Sequence, residues 1–506
     1  MPTRRFRRID PKTRREPLLP AIIEVGSAGA RIAAEDIGIV ITESPEETRR
    51  TLRELTSHRV FSMTELKSAL RWLGPEFFTV VMLGRSPLRL DLDDGPSILG
   101  TRRMFTESRI EEVLLAALTV DQYCRAHGVA LGSHGWTAEQ FFRISLTADL
   151  IVSSPIGRKG YSGGRKACPD PGQYRDLYYV DLRAAYPSAM IEEPFASRLE
   201  LAPDLSIDWP IGVALAVVNV PESLSAWPPL AEVRSYGQAW RTGEFRGWWT
   251  LRELRAARDL GVEVRPEIVL RGADEIHPFR RWWELIGPGR DLSGDAGRWM
   301  KAISNALHGT FILDQTVRIV RFPSGELNAP EVVRTRKPPP LGAAHLGTEI
   351  TSRVRVRLLR ELVPSRPLYI DTDGGIIRTG SPLPEPFGPG IGEWSIRERI
   401  EYLDLRGNQA YAFRRWGEET EQIVLAGIPR ASRADLDRHP GDVLADTASG
   451  WKPRVRALDE PWVFDENGEP VSLSVGMVER VGLPSGWSVR DRELIGVDTA
   501  KLPIPF

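Results

Sequence analysis

Apolar residues are distributed along this chain in two patterns. In some segments they recur every three or four residues, as on one face of a helix, and in others they form short unbroken runs, as in buried strands. Helices are predicted in SPEETRRTLRELTSH, SRIEEVLLAALTVDQYCRAHG, GWWTLRELRAARDLG, PFRRWWELIG and GRWMKAISNALHGTFI. Strands are predicted in FFTVVML and LYYV, and RPLYIDTDGGIIRTG is typical of a hairpin with a tight turn.

Aspartates lie at the ends of the predicted strands in the second half of the chain. Asp181 follows the LYYV run, and Asp371 and Asp373 lie at the tip of the hairpin. Because residues two apart share one face of a strand, these two carboxylates can point the same way. Three carboxylates from two adjacent strand ends are suited to two magnesium ions that assist phosphoryl transfer. Taken alone, each aspartate is better explained as a turn residue.

The segment GRWMKAISNALHGTFI, predicted to be helical to about Gly309, carries polar residues along one face. Lys301 and Asn305 are four residues apart and therefore share that face, and His308 follows on the same stripe. A lysine facing a magnesium site is suited to a triphosphate, and an asparagine one turn further is suited to a nucleobase and sugar. The competing interpretation is a solvated lysine beside a glycine that ends the helix.

Composition limits the possible classes of function. The chain has 506 residues, which suggests about three domains, and its net charge is −1, with 67 basic and 68 acidic residues. The basic residues are clustered, with seven Arg or Lys in MPTRRFRRIDPKTRRE and four in GRKGYSGGRK. Such clusters are suited to binding phosphate, although the first is equally explained as a solvated arm. Two cysteines, no CxxC pair and no HExxH spacing argue against a disulfide framework or a zinc site.

Three segments resemble the polymerase motifs of family B DNA polymerases. DLRAAYPS resembles the family's DxxSLYPS, KAISNALHG its KxxxNSxYG, and YIDTDGG its YxDTDS. They occur in the family's order, with 120 residues from Asp181 to Lys301 and 70 from Lys301 to Asp371. YSGGRK resembles the Tyr-x-Gly-Gly motif that contacts template. GIGEWSIRERIEYLDLRGNQAYAF with LAGIPR resembles the stretch around the Lys-x-Tyr motif in the protein-primed phage and plasmid branch. The resemblance covers about residues 155–430.

The resemblance implies a role for each matching residue. The catalytic carboxylates would be Asp181, Asp371 and Asp373, and two Mg²⁺ ions, for which Mn²⁺ can substitute, would bind Asp181, Asp373 and the Leu182 carbonyl. The nucleotide would be bound by Lys301, Asn305, Tyr186 and, by position only, Arg290, with Tyr186 excluding a 2′-hydroxyl. DNA would be contacted by Tyr161, Gly163, Gly164, His308, Gln409 and Tyr411.

The chain departs from the family pattern at several positions. Ala184 and Ala185 replace Ser-Leu, His308 replaces a tyrosine and Gly374 replaces a serine. Gln409 stands where the family has a lysine that binds the primer end. None of these changes removes a predicted metal ligand. The last one removes a contact between a lysine charge and a phosphate, which weakens the expectation of tight primer binding.

The N-terminal region departs further. The family carries a 3′–5′ exonuclease there, with an Asp-x-Glu pair, a downstream Asn/Asp motif and a Tyr-x-x-x-Asp motif. The first 150 residues offer only Asp91 and Asp93 in LRLDLDDG, and 88 residues separate Asp93 from Asp181. That length is too short for a complete exonuclease domain, so we expect a reduced or replaced domain without proofreading.

The resemblance implies an α+β right-hand polymerase, with an antiparallel-sheet palm, helical fingers, a small thumb and a reduced α/β N-terminal domain. The expected regions are a basic, poorly ordered arm at 1–17, a reduced exonuclease-like or template-binding domain at 18–154, a linker loop and the first part of the palm at 155–244, the fingers at 245–315, the second part of the palm at 316–400, and the thumb and C-terminal region at 401–506.

The expected function is template-directed DNA synthesis, in which deoxynucleotides are added to a primer 3′-hydroxyl by two-metal nucleotidyl transfer. Two alternatives stay open: a self-priming or protein-primed primase-polymerase, and a catalytically dead polymerase-fold protein that binds DNA. The expected partners are template, primer and deoxynucleotides, with a priming protein in the protein-primed case. No apolar stretch is long enough for a membrane span, so we expect a cytoplasmic protein of a bacterial or phage-infected cell, encoded by a phage or mobile element.

Overall fold

The structure is a computed structural model, and the part of the chain that it describes has gaps. It describes residues 3–6, 18–26, 29–55, 57–63, 66–83, 86–93, 96–100, 104–105, 108–147, 149–153, 159–234, 237–312, 315–321, 331–337, 339–425, 431–437, 444–446 and 480–482. The predicted match in LAGIPR lies outside these residues except for its leucine, and so does most of the predicted arm at 1–17.

The first third of the chain mixes strands and helices, as predicted. Its strands are β1 (Thr3–Phe6), β2 (Leu19–Val25), β3 (Ala30–Ala34), β4 (Gly38–Thr42), β5 (His58–Ser62), β6 (Phe78–Leu83), β7 (Ser86–Leu92), β8 (Ser97–Gly100) and β9 (Leu150–Ser153). Its helices are α1 (Pro45–Glu54), α2 (Leu66–Leu73), α3 (Ile110–Ala126) and α4 (His134–Ser145).

The middle of the chain contains the segments with the first two polymerase-like motifs. Its strands are β10 (Arg165–Ala167), β11 (Gly172–Leu182), β12 (Phe195–Leu201), β13 (Gly212–Val220), β14 (Ala231–Arg234), β15 (Gly237–Trp240), β16 (Gly243–Thr250) and β17 (Glu263–Ile276). Its helices are α5 (Ala185–Ile191), α6 (Leu251–Asp259), α7 (Arg280–Ile286) and α8 (Gly294–Ile312).

The remainder contains β18 (Gln315–Arg321), β19 (Glu331–Lys337), α9 (Ala344–Arg357), β20 (Tyr369–Thr372), β21 (Gly374–Arg378), β22 (Trp394–Gly407), β23 (Ala410–Arg415), β24 (Glu421–Leu425), α10 (Arg433–Asp437), β25 (Leu444–Asp446) and β26 (Arg480–Gly482). Every predicted helix and strand named above is therefore present. Helix α8 continues to Ile312 instead of ending near Gly309, because Leu307, Phe311 and Ile312 are buried and packing extends the helix beyond the glycine.

Among the described residues, the strands form three large sheets. The central sheet has the order β10-β20-β21-β11-β22-β23-β24, and each of its neighbouring pairs is antiparallel. The N-terminal sheet has the order β19-β18-β6-β7-β8-β5-β2-β3-β4, and the lateral sheet has the order β1-β9-β12-β17-β13-β16. Two further pairs are β14-β15 and β25-β26.

In two places, strand pairing joins segments that the predicted regions of the chain kept separate. Thr3–Phe6, within the arm that was expected to be poorly ordered, is a strand, because it pairs antiparallel with β9 at the edge of the lateral sheet. The hairpin β18–β19, which follows α8 in the chain, pairs with β6 and so extends the N-terminal sheet. Region 245–315 contains most of β16, then α6, β17, α7 and α8, and its assignment to fingers stays a prediction.

Helix ends follow the capping signals in the sequence. Ser44 precedes α1, and its hydroxyl accepts a hydrogen bond from the Glu47 backbone N–H at 3.2 Å. Thr250 and Glu253 form a reciprocal capping box at the start of α6. These contacts satisfy backbone donors that a helix leaves unpaired in its first turn.

One hydrophobic core connects the N-terminal elements to α8 and to the central sheet. It includes Phe61 of β5, Trp299 of α8, Ile350 of α9 and Val180 of β11. The rings of Phe61 and Trp299 meet edge to face, with their centroids 5.0 Å apart. This packing fixes α8, and the polar face that it carries, relative to the central sheet. Among the described residues, no helix is long and apolar enough to cross a membrane.

Candidate active site

The backbone register of the central sheet brings the predicted carboxylates together. Asp181 lies at the end of β11, opposite Gly374 of β21, and Asp371 of β20 lies opposite the same glycine. The Leu182 N–H donates to the Asp373 carbonyl at 2.9 Å, so the hairpin tip is tied to the end of β11. The structure therefore places all three predicted aspartates at one end of three adjacent strands, β20, β21 and β11.

Gly374 allows this close approach. A Cβ at this position would lie 2.6 Å from the Val180 carbonyl oxygen and 3.1 Å from Asp181 Oδ1. The preceding turn has Thr372 at a φ of 65°, which is unusual for a β-branched residue. The glycine in place of the family's serine is thus explained by the local geometry, since β11 and the hairpin lie too close for a side chain.

Asp181 and Asp373 are unusual carboxylates. Burial raises the pKa of Asp373 to about 7, and the charges of Asp181 and Asp371 add to this effect. Burial also raises the pKa of Asp181, against the opposing charges of Arg397, Lys301 and Arg183. Both groups would therefore gain by binding a cation, which favours their ionised form.

Asp371 has a different environment. Its carboxylate accepts hydrogen bonds from the Tyr369 hydroxyl at 3.2 Å and the Thr372 hydroxyl at 3.0 Å. Lys166 of β10 lies 3.7 Å away, across the sheet edge. Asp371 is therefore already partnered by groups of the protein, whereas the described residues contain no ion-pair partner of Asp181 or Asp373.

The donor set fits magnesium in its chemistry. Carboxylate oxygens are the ligands that Mg²⁺ takes from proteins, and one or two carboxylates suffice when substrate phosphates and water complete the coordination. Within the described ranges, no group of three or more His, Cys, Asp and Glu side chains is placed to hold an ion by itself. The fit to magnesium thus rests on Asp181 and Asp373, and the role of the Leu182 carbonyl as a metal ligand stays a prediction.

The predicted triphosphate-binding residues meet at α8. Arg290 donates to the Ser304 hydroxyl at 2.6 Å and lies 3.4 Å from the Asn305 side-chain oxygen. Its guanidinium also lies 5.5 Å from the centre of the Trp283 ring. Lys301 and Asn305 are exposed on the same helix, and the charge of Lys301 lowers the pKa of Asp181. Arg290, which the resemblance assigned to the nucleotide site by its position only, thus contacts Asn305 directly.

Tyr186 and His308 form a ring pair between α5 and α8. Their ring centroids are 4.9 Å apart, with an angle of 35° between the planes. Burial lowers the pKa of His308 to about 4, so the imidazole is neutral at pH 7 and its Nε2–H donates to the Gly347 carbonyl at 3.3 Å. Burial raises the pKa of Tyr186 to about 12. The histidine that replaces the family's tyrosine therefore supports Tyr186 as a neutral ring.

The glycine-rich loop lies against the hairpin tip. A Cβ on Gly164 would lie 2.7 Å from the Thr372 methyl carbon. Arg355 of α9 donates to the carbonyls of Ser162 and Gly163, and its guanidinium is paired with Glu253 at 2.9 Å. The predicted template-binding loop is thus part of the same site.

Gln409 and Tyr411 reach the site through Tyr369. The Gln409 N–H donates to the Tyr369 hydroxyl at 3.1 Å, and the rings of Tyr369 and Tyr411 have centroids 5.3 Å apart. The Tyr369 hydroxyl in turn donates to Asp371. The structure places residues of every predicted group around the hairpin β20–β21 and the adjoining face of α8: Asp181, Asp371, Asp373, Tyr186, Lys301, Asn305, Arg290, Gly163, Gly164, His308, Gln409 and Tyr411. The last two come from the turn at the far end of β22, opposite the start of β11, and meet the others through Tyr369. Tyr161 lies close enough to Tyr186 for the charge of its ionised hydroxyl to raise the pKa of the Tyr186 phenol.

Sequence analysis missed Arg397. The pairing of β11 with β22 shifts register between Tyr179 and Val180, which pair with Glu398 and Ile396, so Arg397 is the extra residue of a β-bulge. Its guanidinium lies 5.5 Å from the centre of the Tyr179 ring, and its charge lowers the pKa of both Asp181 and Asp373. A bulge breaks the alternation of SIRERIE, so the alternation alone gives no sign that this arginine faces the site.

Comparison with known proteins gives a result at the level of the fold. No protein family model and no curated protein sequence matches the chain. The phi29 DNA polymerase in an orthorhombic crystal form superimposes with a TM-score of 0.62 at 14% identity, over 82% of this chain and 93% of that one. Phi29 DNA polymerase complexed with primer-template DNA and incoming nucleotide substrates gives a TM-score of 0.61 at 11% identity, over 83% of this chain and 95% of that one.

These similarities extend over most of both chains, whereas the sequence motifs cover only about residues 155–430. The chain therefore has the fold of phi29 DNA polymerase, and the predicted resemblance to the family B polymerases is confirmed at the level of the fold.

Proposed function

We propose that this protein is a template-directed DNA polymerase that extends a primer 3′-hydroxyl by nucleotidyl transfer. The observation that carries the proposal is the meeting of two desolvated carboxylates, Asp181 and Asp373, with a cationic helix face. That face includes Lys301, whose charge acts directly on Asp181. A fold shared with phi29 DNA polymerase supports the same interpretation, but by itself it would suit a protein without activity.

The carboxylates have the properties that two-metal nucleotidyl transfer needs. Two bound Mg²⁺ ions would stabilise the charge that develops on the attacking primer oxygen and on the leaving pyrophosphate. Asp181 and Asp373 would hold these ions in ionised form. Asp371, which is held by Tyr369, Thr372 and Lys166, would fix the hairpin tip and add negative charge beside them.

The face of α8 would bind the incoming triphosphate. Lys301 is exposed on it, and Arg290 is fixed against Ser304 and Asn305. Because a guanidinium held by two side chains has little rotational freedom to lose, Arg290 would bind phosphate oxygens at a low entropic cost. The aromatic pair of Tyr186 and His308 lies beside this face and would form the wall that excludes a 2′-hydroxyl.

We assign the expected regions around this site as proposals. The central sheet with α5 and α9 would be the palm, the helices of region 245–315 would supply the fingers, and the residues after 400 would begin the thumb. The N-terminal region 18–154 would bind template or a partner and would not proofread. In support, Asp91 is already bound by Ser97 at 2.5 Å and paired with Arg89 at 2.9 Å.

A self-priming or protein-primed enzyme is the second candidate. Gln409, in the turn between β22 and β23, offers no charge to a primer phosphate. An enzyme that receives its 3′- or other hydroxyl from a protein or from its own product needs less affinity for a DNA primer. The third candidate, a DNA-binding protein without activity, is disfavoured by the position of Asp181 and Asp373, which lie side by side without an ion-pair partner among the described residues and face the charge of Lys301.

A primer-extension assay separates the three candidates. Purified protein with Mg²⁺ and the four deoxynucleotides is given a labelled primer-template, or the same template without primer. Product that forms only when the primer is present supports the proposal. Product that forms without a primer supports the self-priming candidate, and no product in either reaction supports the inactive candidate. Asp181→Asn serves as the control for contaminating polymerase, because it removes a ligand charge while leaving the strand pairing intact.

A further inference from the structure

We propose that Lys166 is a primer-binding residue, which contacts a phosphate of the primer end from the edge strand β10. This inference rests on the proposed function and adds a residue that the resemblance does not assign. Three features of Lys166 support this role: its position in the sheet, the weakness of its ion pair, and its connection to the turn that holds Gln409.

Lys166 has a fixed place beside the carboxylates. Strand β10 pairs antiparallel with β20, and Lys166 lies directly opposite Asp371. Gly164, two residues earlier, packs against Thr372 of the same hairpin, so the backbone that carries Lys166 is held close to the tip. The lysine is therefore held in place beside the site by strand pairing, although it is distant from Asp371 in the sequence.

The ion pair of Lys166 leaves its ammonium able to bind a second anion. Its Nζ lies 3.7 Å from Asp371 Oδ1, which is beyond the usual length of a direct hydrogen bond, and 37% of its side chain is exposed. Asp371 already accepts hydrogen bonds from Tyr369 and Thr372. An ammonium has three donors, so it can keep this partner and still donate to a phosphate oxygen.

A chain of contacts joins Lys166 to the turn that holds Gln409. Lys166 contacts Asp371, Asp371 accepts from the Tyr369 hydroxyl, and that hydroxyl accepts from the Gln409 N–H at 3.1 Å. The Lys166 side chain and the Gln409 backbone are therefore linked through Asp371 and Tyr369, and of these two residues only Lys166 carries a positive charge. A polyanion that passes over these residues would meet its positive charge at Lys166.

The competing explanation is that Lys166 only offsets the charge of Asp371. In that case its removal would change the affinity of the site for Mg²⁺, but it would not change how strongly DNA binding depends on salt. The two explanations are therefore separated by the number of phosphate contacts, which the slope of log binding constant against log salt concentration reports.

The experiment measures binding of a fluorescent primer-template to the full chain, in EDTA and without nucleotides, over a range of salt concentrations. We expect Lys166→Met to weaken binding about tenfold and to reduce the slope by about 0.9, the value for one phosphate contact. Lys166→Arg should retain most of the affinity. Arg246→Met, which removes an exposed charge from β16 in the lateral sheet, is the control and should leave the slope unchanged.

A rescue variant tests the shared site. The double variant Lys166→Met with Gln409→Lys should regain affinity and slope, because it supplies a charge at the other end of the same contact chain. Gln409→Lys alone should bind more tightly than the wild type, and this variant keeps the Lys166–Asp371 pair intact if Lys166→Met fails to fold.

An unchanged slope in Lys166→Met, or in Lys166→Gln where Lys166→Met does not fold, would overturn the inference. If the wild type binds primer-template but does not extend it, the proposed function fails while the binding result still decides the role of Lys166.

Discussion

Gly374→Ser is the substitution on which the motif resemblance and the structure disagree. The resemblance favours a serine here, since the family's motif has one, so the change should be tolerated. In this structure a Cβ would lie 2.6 Å from the Val180 carbonyl oxygen, and side-chain carbons essentially never approach closer than 3.0 Å. We therefore expect Gly374→Ser and Gly374→Ala to lower both the stability of the protein and the proposed polymerase activity.

The size of the effect follows from the displacement. Relieving the contact needs a shift of about 0.4 Å or more between β11 and the hairpin, and overpacking of this kind costs roughly 1–3 kcal/mol of unfolding free energy. The same shift moves Asp181, whose Oδ1 would lie 3.1 Å from the new carbon. Since misplacement by about 1 Å can cost ~10²-fold in rate, we expect a loss of about tenfold or more in kcat.

Single-nucleotide incorporation under pre-steady-state conditions measures this loss, and thermal unfolding measures the change in stability. Gly380→Ala is the matched control, because a Cβ there would have nothing within 4 Å. If Gly374→Ala incorporates nucleotide at a rate within twofold of both the wild type and this control, the close approach of β11 to the hairpin is not what the site requires.

Further predictions concern the metals, pH, sugar selection and proofreading. Asp181→Asn or Asp373→Asn should abolish extension while retaining fold and DNA binding, and a variant that extends a primer at near wild-type rate would show that the carboxylates are wrongly assigned. Because burial and neighbouring charges raise the pKa of Asp373 from 3.8 to about 7, the folded metal-free protein binds this proton more tightly than the unfolded chain. The stabilisation of the fold by protonated Asp373 is thus complete below pH 3.8 and is lost as the pH rises to about 7. Asp373→Asn should therefore flatten the dependence of Tm on pH in EDTA over that interval. An identical dependence in the wild type and the variant would refute this. Tyr186→Ala should raise the ratio of ribonucleotide to deoxynucleotide incorporation, and an unchanged ratio would show that Tyr186 does not exclude the 2′-hydroxyl from the sugar pocket. A labelled oligonucleotide incubated with metal but no nucleotides should stay intact; stepwise shortening that survives Asp181→Asn but not Asp91→Ala would reveal a nuclease site.

Local signals in the sequence were sufficient for the elements that carry the site. The Asp-Thr-Asp-Gly-Gly turn predicts the hairpin β20–β21, and apolar residues at helical spacing predict α6 and α8. Motif spacing then predicts that the hairpin and β11 act together, and the register confirms that they are neighbours. These features depend on residues close in sequence, or on a pattern that a family shares.

The features that sequence did not predict depend on pairing between distant segments. Thr3–Phe6 becomes a strand only because β9 offers it an edge, and Lys166 meets Asp371 only because β10 pairs with β20. Arg397 faces the carboxylates because of a bulge, which adds one residue to β22 without a signal in its composition. No periodicity within one segment encodes such contacts.

The hairpin β18–β19 couples the N-terminal sheet to helix α8. Helix α8 is attached to that region twice, through Trp299 on Phe61 and through the strand β18, which follows α8 closely in the chain and pairs with β6. A truncation that removes residues 1–154 would leave β18–β19 as an isolated hairpin, which is marginally stable in water, and would uncover the Trp299 ring. Any rotation of α8 would therefore have to deform the N-terminal sheet or carry it along.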